Sequence, residues 1–123
     1  MPPYIIIFED DEALTQELRE AFQKAGWKVS SFLFPPDNVV DLVVGEKAEV
    51  VLMDINMPHM NGVHAGRLLK AAEQTKHIPL VYYSSMPEES VLPSIKSLGA
   101  DGFFSKWDTP PSALVEVISK MIK

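Results

Sequence analysis

Short apolar runs alternate with longer segments of helical periodicity, and this alternation leaves very few folds open to the chain. A continuous apolar run predicts a buried strand, and apolar residues recurring every three or four positions predict a helix. The predicted strands are YIIIF (4–8), WKVSSF (27–32), EVVLM (49–53), PLVYYS (79–84) and GFFS (102–105). The predicted helices follow at about 12–25, 38–44, 62–76, 91–98 and 111–121. Strand then helix, repeated five times, is typical of a parallel sheet covered on both faces.

The fold class predicted from this pattern is therefore α/β, a doubly wound five-stranded parallel sheet with helices on both faces. By analogy, the strand order is the flavodoxin-like 2-1-3-4-5, in which the order reverses beside the first strand. The 123 residues have the usual length of one domain, and we expect a single domain over 1–123.

Composition excludes several functional classes. Apolar residues make up 46% of the chain and the net charge is -6, which argues against nucleic-acid binding and against a polybasic membrane anchor. Cysteine is absent, so thiol chemistry is excluded. YIIIF is too short for a signal core or a membrane span, and we expect a cytoplasmic protein.

Polar side chains follow four of the five predicted strands. Glu9, Asp10 and Asp11 follow the first strand, Asp54 the third, Ser84 the fourth and Lys106 the fifth. In a doubly wound sheet, ligands bind beyond the carboxyl ends of the strands, where these groups should meet. Clustered carboxylates need a cation, and hard oxygen ligands suit Mg²⁺. With a lysine and a hydroxyl opposite, the set favours phosphoryl transfer.

Each residue also has an ordinary structural interpretation. Asp11 and Glu12 are better explained as the N-terminus of the first helix, and Glu9 and Asp10 alone fit either a cap or a site. A single Ser or Lys at a strand end is usually a turn or surface residue, so the argument rests on their joint occurrence. His59, His64 and His77 lack the spacing of a metal site, and the methionines around Asp54 are expected to fill the core.

The segments IIIFEDDEAL, VVLMDINMPHMNG, IPLVYYSS and GADGFFSK resemble the receiver domains of bacterial two-component response regulators, especially the single-domain chemotaxis type. The resemblance implies that Asp54 accepts a phosphoryl group from a sensor histidine kinase or a phosphotransfer protein. It implies that Glu9 and Asp10, with Asp54 and the backbone carbonyl of Asn56, hold Mg²⁺. The output protein is left open.

The resemblance also implies a switch. Ser84 matches the switch hydroxyl, Lys106 the lysine that pairs with the phosphoryl group, and Phe103 the aromatic switch position. On phosphorylation, Ser84 would move toward the new oxygens and Phe103 would turn inward. The surface of helix 4, strand 5 and helix 5 would then change its arrangement.

Two departures from the family pattern stand out. Trp107 follows the lysine where proline, often after a cis bond, is usual; because a non-proline cis bond is costly, we expect a trans bond and an altered loop. Trp107 itself is expected to pack under the last helix, with a partner contact as the alternative. Pro93 interrupts the fourth helix, which we expect either to start near it, and so to be short or mobile, or to be kinked.

Three functions compete on these residues. The leading one is a phosphorylatable receiver that acts as a signalling switch. The alternative is a phosphorylation-independent pseudo-receiver that serves as an interaction module, which the changes at Trp107 and Pro93 favour. A haloacid-dehalogenase-type phosphatase is third, since it would need an acid where Asn56 stands.

Overall fold

A computed structural model describes residues 2–57 and 61–122, and within them five strands alternate with five helices. The strands are β1 (Tyr4–Phe8), β2 (Lys28–Phe32), β3 (Val50–Met53), β4 (Leu80–Ser84) and β5 (Gly102–Ser105). The helices are α1 (Glu12–Lys24), α2 (Val39–Glu46), α3 (Gly62–Ala71), α4 (Glu88–Leu98) and α5 (Pro111–Met121). The alternation predicted from the sequence is confirmed.

All strand pairs are parallel, and the sheet order is β2-β1-β3-β4-β5. The predicted fold class and strand order are therefore correct. The order reverses between β1 and β3, whose register pairs Phe8 with Met53. The residues that follow these two strands consequently lie side by side at the carboxyl edge of the sheet.

The core has two layers because successive side chains of a strand point to opposite faces. Ile6, Phe8, Val51, Met53 and Tyr82 face α2, α3 and α4. Their alternate neighbours face α1 and α5: Ile5, Ile7, Val50, Leu52, Val81 and Tyr83. Every residue of β1, β3 and β4 is buried, which is why these three strands read as apolar runs rather than as alternating ones.

Two helix ends differ from the sequence prediction. α2 runs through Gly45 to Glu46, and Lys47 ends it in the left-handed conformation, at φ 59°. α3 stops at Ala71 instead of Lys76, because the chain turns to extended backbone at Ala72. The Thr75 hydroxyl donates to the Leu69 carbonyl (2.6 Å) and so satisfies one carbonyl of the last turn.

Of the two alternatives for the fourth helix, a start near Pro93 is wrong, and a kink at Pro93 stays a prediction. α4 begins at Glu88, and Pro93 lies inside it. The missing N–H of Pro93 leaves the Glu89 carbonyl without an intrahelical partner, but Glu89 is exposed, so water can serve that carbonyl. Buried Val91 and Ile95 anchor the helix on both sides of the proline.

Candidate functional site

The side chains predicted to form a site are carried by residues that extend the sheet by one backbone hydrogen bond. Glu9 N donates to the Phe32 carbonyl (3.0 Å), Asp54 N to the Phe8 carbonyl (3.0 Å) and Lys106 N to the Ser84 carbonyl (2.9 Å). Each side chain therefore leaves from a backbone held by a neighbouring strand. The rigid sheet edge, not a free loop, determines the geometry of the site.

Glu9, Asp10 and Asp54 form an acidic cluster in which one carboxylate oxygen from each residue lies within 4.8 Å of the others. Glu9 and Asp54 are buried, with 2% and 7% exposure, whereas Asp10 is exposed. The Asp54 Oδ1 accepts from Ile55 N at 2.8 Å. The Glu9 Oε2 accepts from Asp11 N at 3.1 Å.

Lys106 reaches into this cluster. Its Nζ lies 2.7 Å from Glu9 Oε1 and 3.4 Å from Asp54 Oδ2. Burial alone would lower the pKa of Lys106, but the hydrogen bond to Glu9 and the charges of Asp54 and Glu9 outweigh it and raise the pKa above its ordinary value. The lysine is therefore a fixed positive charge between the two buried acids.

The same surroundings raise the pKa of both buried acids. Burial is the main cause for Glu9, with the neighbouring charge of Asp54 adding to it, and together they raise its pKa to about 7 despite the bond to Lys106. Burial likewise raises the pKa of Asp54, against the charge of Lys106. The site thus contains two buried carboxyl groups and only one ammonium group, so the positive charge does not balance both acids when they are ionised.

This donor set fits a hard divalent cation. The three carboxylates converge, and their oxygens keep lone pairs beyond those bonded to Lys106 and to backbone N–H groups. Mg²⁺, the ion that the resemblance to receiver domains implies, is such a cation. Asn56 lies exposed in the loop directly after β3; the metal-binding role of its carbonyl stays a prediction.

The neighbouring acidic residue has the structural role that was expected. Asp11 is the N-cap of α1, and its Oδ1 accepts from Leu14 N at 3.1 Å. His64 and His77 are exposed, and neither belongs to a metal-holding group among the described residues. The remaining histidine, His59, lies outside the described residues together with Pro58 and Met60.

Ser84 and Phe103 lie on neighbouring strands, at the end of β4 and within β5. Ser84 is buried, and its Oγ accepts from Met86 N at 3.1 Å, which ties it to the β4–α4 loop. Phe103 is half-buried, packs against the core layer beneath α4 and pairs in register with Tyr82. Their movement on phosphorylation stays a prediction.

Two glycines support the site in a way that sequence reasoning missed. A Cβ on Gly62 would lie 1.9 Å from the Asp54 carbonyl oxygen, and Gly62 N donates to Ile55 O at 2.8 Å. The chain that leaves Asp54 therefore returns to pack against its backbone. A Cβ on Gly66 would lie 1.9 Å from the Tyr82 hydroxyl, which donates to the Gly62 carbonyl at 2.8 Å. Glycine spaced by four residues at a helix start was the available signal.

The segment after β5 differs from the common family pattern, as predicted. The described residues contain no cis peptide bond, so Lys106–Trp107 is trans. Residues 105–109 form a tight turn in which Thr109 N donates to the Ser105 carbonyl at 3.0 Å. The Tyr83 hydroxyl donates to the Thr109 carbonyl at 2.5 Å and holds the far end of the turn.

The expectation that Trp107 packs under the last helix is wrong. Its side chain is 81% exposed, and its indole Nε1 donates to the Ser85 carbonyl at 3.1 Å. The trans bond and the tight turn direct the ring toward the β4–α4 loop rather than toward α5. The indole is thus anchored at one edge and open to solvent.

Known proteins match this chain along nearly its whole length. The family model of the response regulator receiver domain matches residues 5–119. The chemotaxis protein CheY of Thermotoga maritima is 27% identical over 119 residues, which cover 97% of each chain. The response regulator MprA of Mycobacterium sp. strain KMS is 26% identical in an alignment 123 positions long, which covers 98% of this chain and 50% of that protein.

The chain thus spans about half the length of several curated relatives that it matches. One of these, the sensory transduction protein BceR of Halalkalibacterium halodurans, is 28% identical in an alignment 105 positions long, which covers 83% of this chain and 42% of that protein.

Solved structures agree on the fold. A chemotaxis response regulator, CheY4 of Vibrio cholerae, superposes with a TM-score of 0.85 at 19% identity, over 98% of each chain. A response regulator from Chloroflexus aurantiacus gives a TM-score of 0.88 at 17% identity, over 99% of this chain and 98% of that one. The fold, the strand-end residues and the family match lead to one conclusion. The chain belongs to the receiver domain family of two-component response regulators, signalling switches whose general function is phosphorylation on an aspartate.

Proposed function

We propose that Asp54 is the phosphoacceptor of this receiver domain and that Ser84 and Lys106 assist the transfer. The observation that carries the proposal is the placement of Lys106 Nζ between Glu9 and Asp54, with Asp10 converging on the same point. Such a site offers a nucleophile, a fixed cation and a group of oxygen ligands at a rigid sheet edge. These are the components that phosphoryl transfer requires.

The transfer is a displacement at phosphorus. An Asp54 carboxylate oxygen forms the new O–P bond while the P–N bond of a phosphohistidine breaks, and the electron pair leaves with the imidazole. The histidine belongs to a sensor kinase or a phosphotransfer protein, and a small phosphodonor can replace it. Bound Mg²⁺ would neutralise charge on the phosphoryl oxygens. Glu9, Asp10, Asp54 and the Asn56 carbonyl are its proposed ligands.

Lys106 and Ser84 respond to the new group. The phosphoryl group brings about -1.5 to -2 charges, so Lys106 Nζ gains a stronger acceptor than Glu9 Oε1. The Ser84 hydroxyl can donate to a phosphoryl oxygen. Hydrolysis by water, which breaks the O–P bond and releases phosphate, resets the domain.

The switch then reaches the surface. Movement of Ser84 toward the phosphoryl group would release Met86 N, and with it the β4–α4 loop. Phe103 would turn inward, and the face made by α4, β5 and α5 would change for an output protein. Trp107 belongs to this face as a partner contact. We propose a cytoplasmic location, where the domain would meet its kinase. None of the described helices has the length and apolarity to cross a bilayer.

Phosphodonor labelling tests the proposal. Wild type, Asp54→Ala and Asp37→Asn are incubated with acetyl phosphate, with and without Mg²⁺, and the mass of the intact protein is measured. Asp37 is an exposed aspartate far from the site in sequence, so Asp37→Asn is the control. We expect one phosphoryl group on wild type and on the control, only with Mg²⁺, and none on Asp54→Ala. Labelling that survives Asp54→Ala would contradict the assignment.

A phosphorylation-independent interaction module is the second candidate. The observation that favours it is Trp107, which stands exposed at the place where a proline is usual and gives the domain a contact surface in its resting state. Absence of labelling at high acetyl phosphate and Mg²⁺ would support this function.

A further inference from the structure

A groove opens beside Trp107 on the α4 side of the domain. It lies between residues 85–89 of the β4–α4 loop and α4 on one side, and residues 103–105 and 107–109 on the other. We call this surface the Trp107 groove. Its volume is about 480 Å³, which is enough for several side chains of an extended segment. Half-buried Met86 and Phe103 contribute its apolar lining.

The charge of the groove has one sign. Glu88, Glu89 and Asp108 line it, all three are exposed, and none is ion-paired with a described residue. No lysine or arginine is among the described lining residues. Lys106 is next to Trp107 in the chain, but its Nζ points to Glu9 and Asp54. It therefore does not neutralise the negative charge of the groove.

The N-terminus of α4 does not reverse this charge. α4 begins at Glu88, and a helix start carries roughly half a positive charge. Three carboxylates outweigh that half charge. The groove therefore repels polyanions such as nucleic acid and phosphopeptides.

The indole of Trp107 adds a second recognition element. Its Nε1 is held by the Ser85 carbonyl, so the ring has a defined orientation while 81% of the side chain stays exposed. The face of an indole attracts a cation, and arginine is the cation that most often stacks on it. A planar guanidinium can lie on the ring and still hydrogen-bond a carboxylate beside it.

We propose that the Trp107 groove binds a basic, arginine-containing segment of a partner protein. One arginine stacks on Trp107, and flanking basic side chains pair with Glu88, Glu89 and Asp108. This proposal rests on the proposed function in one respect, namely that Trp107 belongs to the face that contacts a partner. The negative charge and the exposed indole do not depend on it, because both are present in the unphosphorylated domain.

Peptide binding tests it without any phosphodonor. The probe is a fluorescein-labelled peptide of alternating glycine and arginine, followed by fluorescence polarisation at low and high salt. We expect saturable binding that weakens with salt, and no binding of the matched glycine–glutamate peptide. Trp107→Ala should weaken binding about fivefold, as expected for an exposed cation–π contact.

A charge-matched pair of variants separates the groove from general attraction to an acidic protein. Glu88→Gln/Glu89→Gln should weaken binding about fourfold. Asp37→Asn/Asp41→Asn removes the same charge from the connection to α2 and from α2 itself, and should bind as wild type. Equal losses in the two double variants, or wild-type affinity in Trp107→Ala, would overturn the proposal. Circular dichroism establishes that each variant is folded.

The two proposals fail separately. If labelling of Asp54 succeeds and the arginine peptide does not bind, the groove inference is wrong and the phosphoacceptor proposal stands. If labelling fails and binding at Trp107 holds, the domain is an interaction module that recognises a basic segment.

Discussion

At the scale of single residues, Glu9 is a carboxylate that is buried and also bonded on both oxygens. It is 2% exposed, its Oε1 pairs with Lys106 at 2.7 Å and its Oε2 accepts from Asp11 N. Burial favours the protonated acid, whereas the lysine and a bound cation favour the carboxylate. Burial and the lysine therefore act in opposite directions on the pKa of one group.

The pKa of Glu9 predicts how stability changes with pH in the absence of divalent ions. The folded pKa is about 7 and the ordinary value is 4.5. Between these pH values the folded chain holds a proton that the unfolded chain has released, so the free energy of unfolding falls as pH rises. The raised pKa of Asp54 acts in the same direction. The fall due to Glu9 is at most about 3 kcal/mol.

Urea unfolding across this pH range in EDTA measures the effect. Glu9→Gln keeps the size of the side chain and should flatten the pH profile. Glu12→Gln removes an exposed carboxylate from the first turn of α1 and should keep the wild-type profile. A Glu9→Gln profile as steep as that of wild type would show that other groups carry the pH dependence.

At the scale of elements, β4 connects three parts of the molecule through three successive residues. Tyr82 donates to Gly62 at the start of α3, Tyr83 donates to Thr109 in the turn after β5, and Ser84 accepts from Met86 N. Tyr82 and Tyr83 point to opposite faces because side chains alternate along a strand. One strand thus positions the start of α3, the turn that follows Lys106 and the Ser84 hydroxyl.

The contact between α3 and β4 predicts a destabilising glycine substitution. Gly66→Ala adds about 1 kcal/mol of helix propensity, but its Cβ would meet the Tyr82 hydroxyl at 1.9 Å. Overpacking costs about 1 to 3 kcal/mol and should win. Tyr82→Phe removes the obstructing oxygen and its hydrogen bond to the Gly62 carbonyl, at a cost of about 0.5 to 1.5 kcal/mol.

A double-mutant cycle tests this contact by chemical denaturation. Gly66→Ala/Tyr82→Phe should lose clearly less stability than the sum of the two single variants, because the alanine then occupies the space of the missing hydroxyl. Additive losses would mean that the helix moves away from β4 instead.

The bond from Tyr83 to Thr109 predicts an effect on phosphoryl binding, provided that Lys106 has its proposed role. Tyr83→Phe should loosen the 105–109 turn and weaken the binding of beryllofluoride, a phosphoryl analogue, about fivefold, which corresponds to one hydrogen bond of about 1 kcal/mol. Affinity for Mg²⁺ alone should stay unchanged, since the proposed ligands follow β1 and β3.

Tyr4→Phe is the matched control for this measurement. It removes the same atom from a tyrosine at the start of β1, at the sheet edge opposite the site, where the hydroxyl bonds Ser30 and Glu46. An equal loss of beryllofluoride affinity in both variants, or no loss in Tyr83→Phe, would exclude Tyr83 as a positioning residue for Lys106.

At the scale of the whole molecule, two core layers hold a sheet edge at which three carboxylates converge and only one lysine reaches them among the described residues. The buried residues on both faces keep β1 and β3 in register, and the register brings Glu9 and Asp54 together. The packing of the sheet therefore offsets the electrostatic repulsion between these two acids. A cation that binds this edge in the folded state should stabilise the entire domain.

Mg²⁺ should therefore raise the unfolding temperature. At a free concentration of about 100 times its dissociation constant, the ion adds about 2.7 kcal/mol to the free energy of unfolding. Asp10→Asn should remove most of this gain. Asp11→Asn changes the same charge at the next residue and retains the N-cap of α1, because asparagine caps as well as aspartate, so it should keep the gain. Equal gains in both variants would place the ion elsewhere.

Much of this molecule could be predicted from the sequence because the relevant patterns are local. The apolar runs that start at Tyr4 and Val50 indicate strands buried on both faces, and helical segments between them require parallel crossovers. Parallel strands end at one edge, so the residues after them had to meet there. Glu9, Asp54 and Lys106 were therefore predictable as a group without any coordinate.

Tertiary structure decided which atoms these residues contact. Three contacts depend on how close elements far apart in the chain come to each other. They are the shorter distance of Lys106 to Glu9 than to Asp54, the two tyrosine hydroxyl bonds and the direction of Trp107. The start of α4 before Pro93 was decided in the same way, because Val91 and Ile95 gain burial that outweighs one missing hydrogen bond. A sequence pattern specifies the face of the element on which a side chain lies, whereas tertiary packing determines which atoms that side chain contacts.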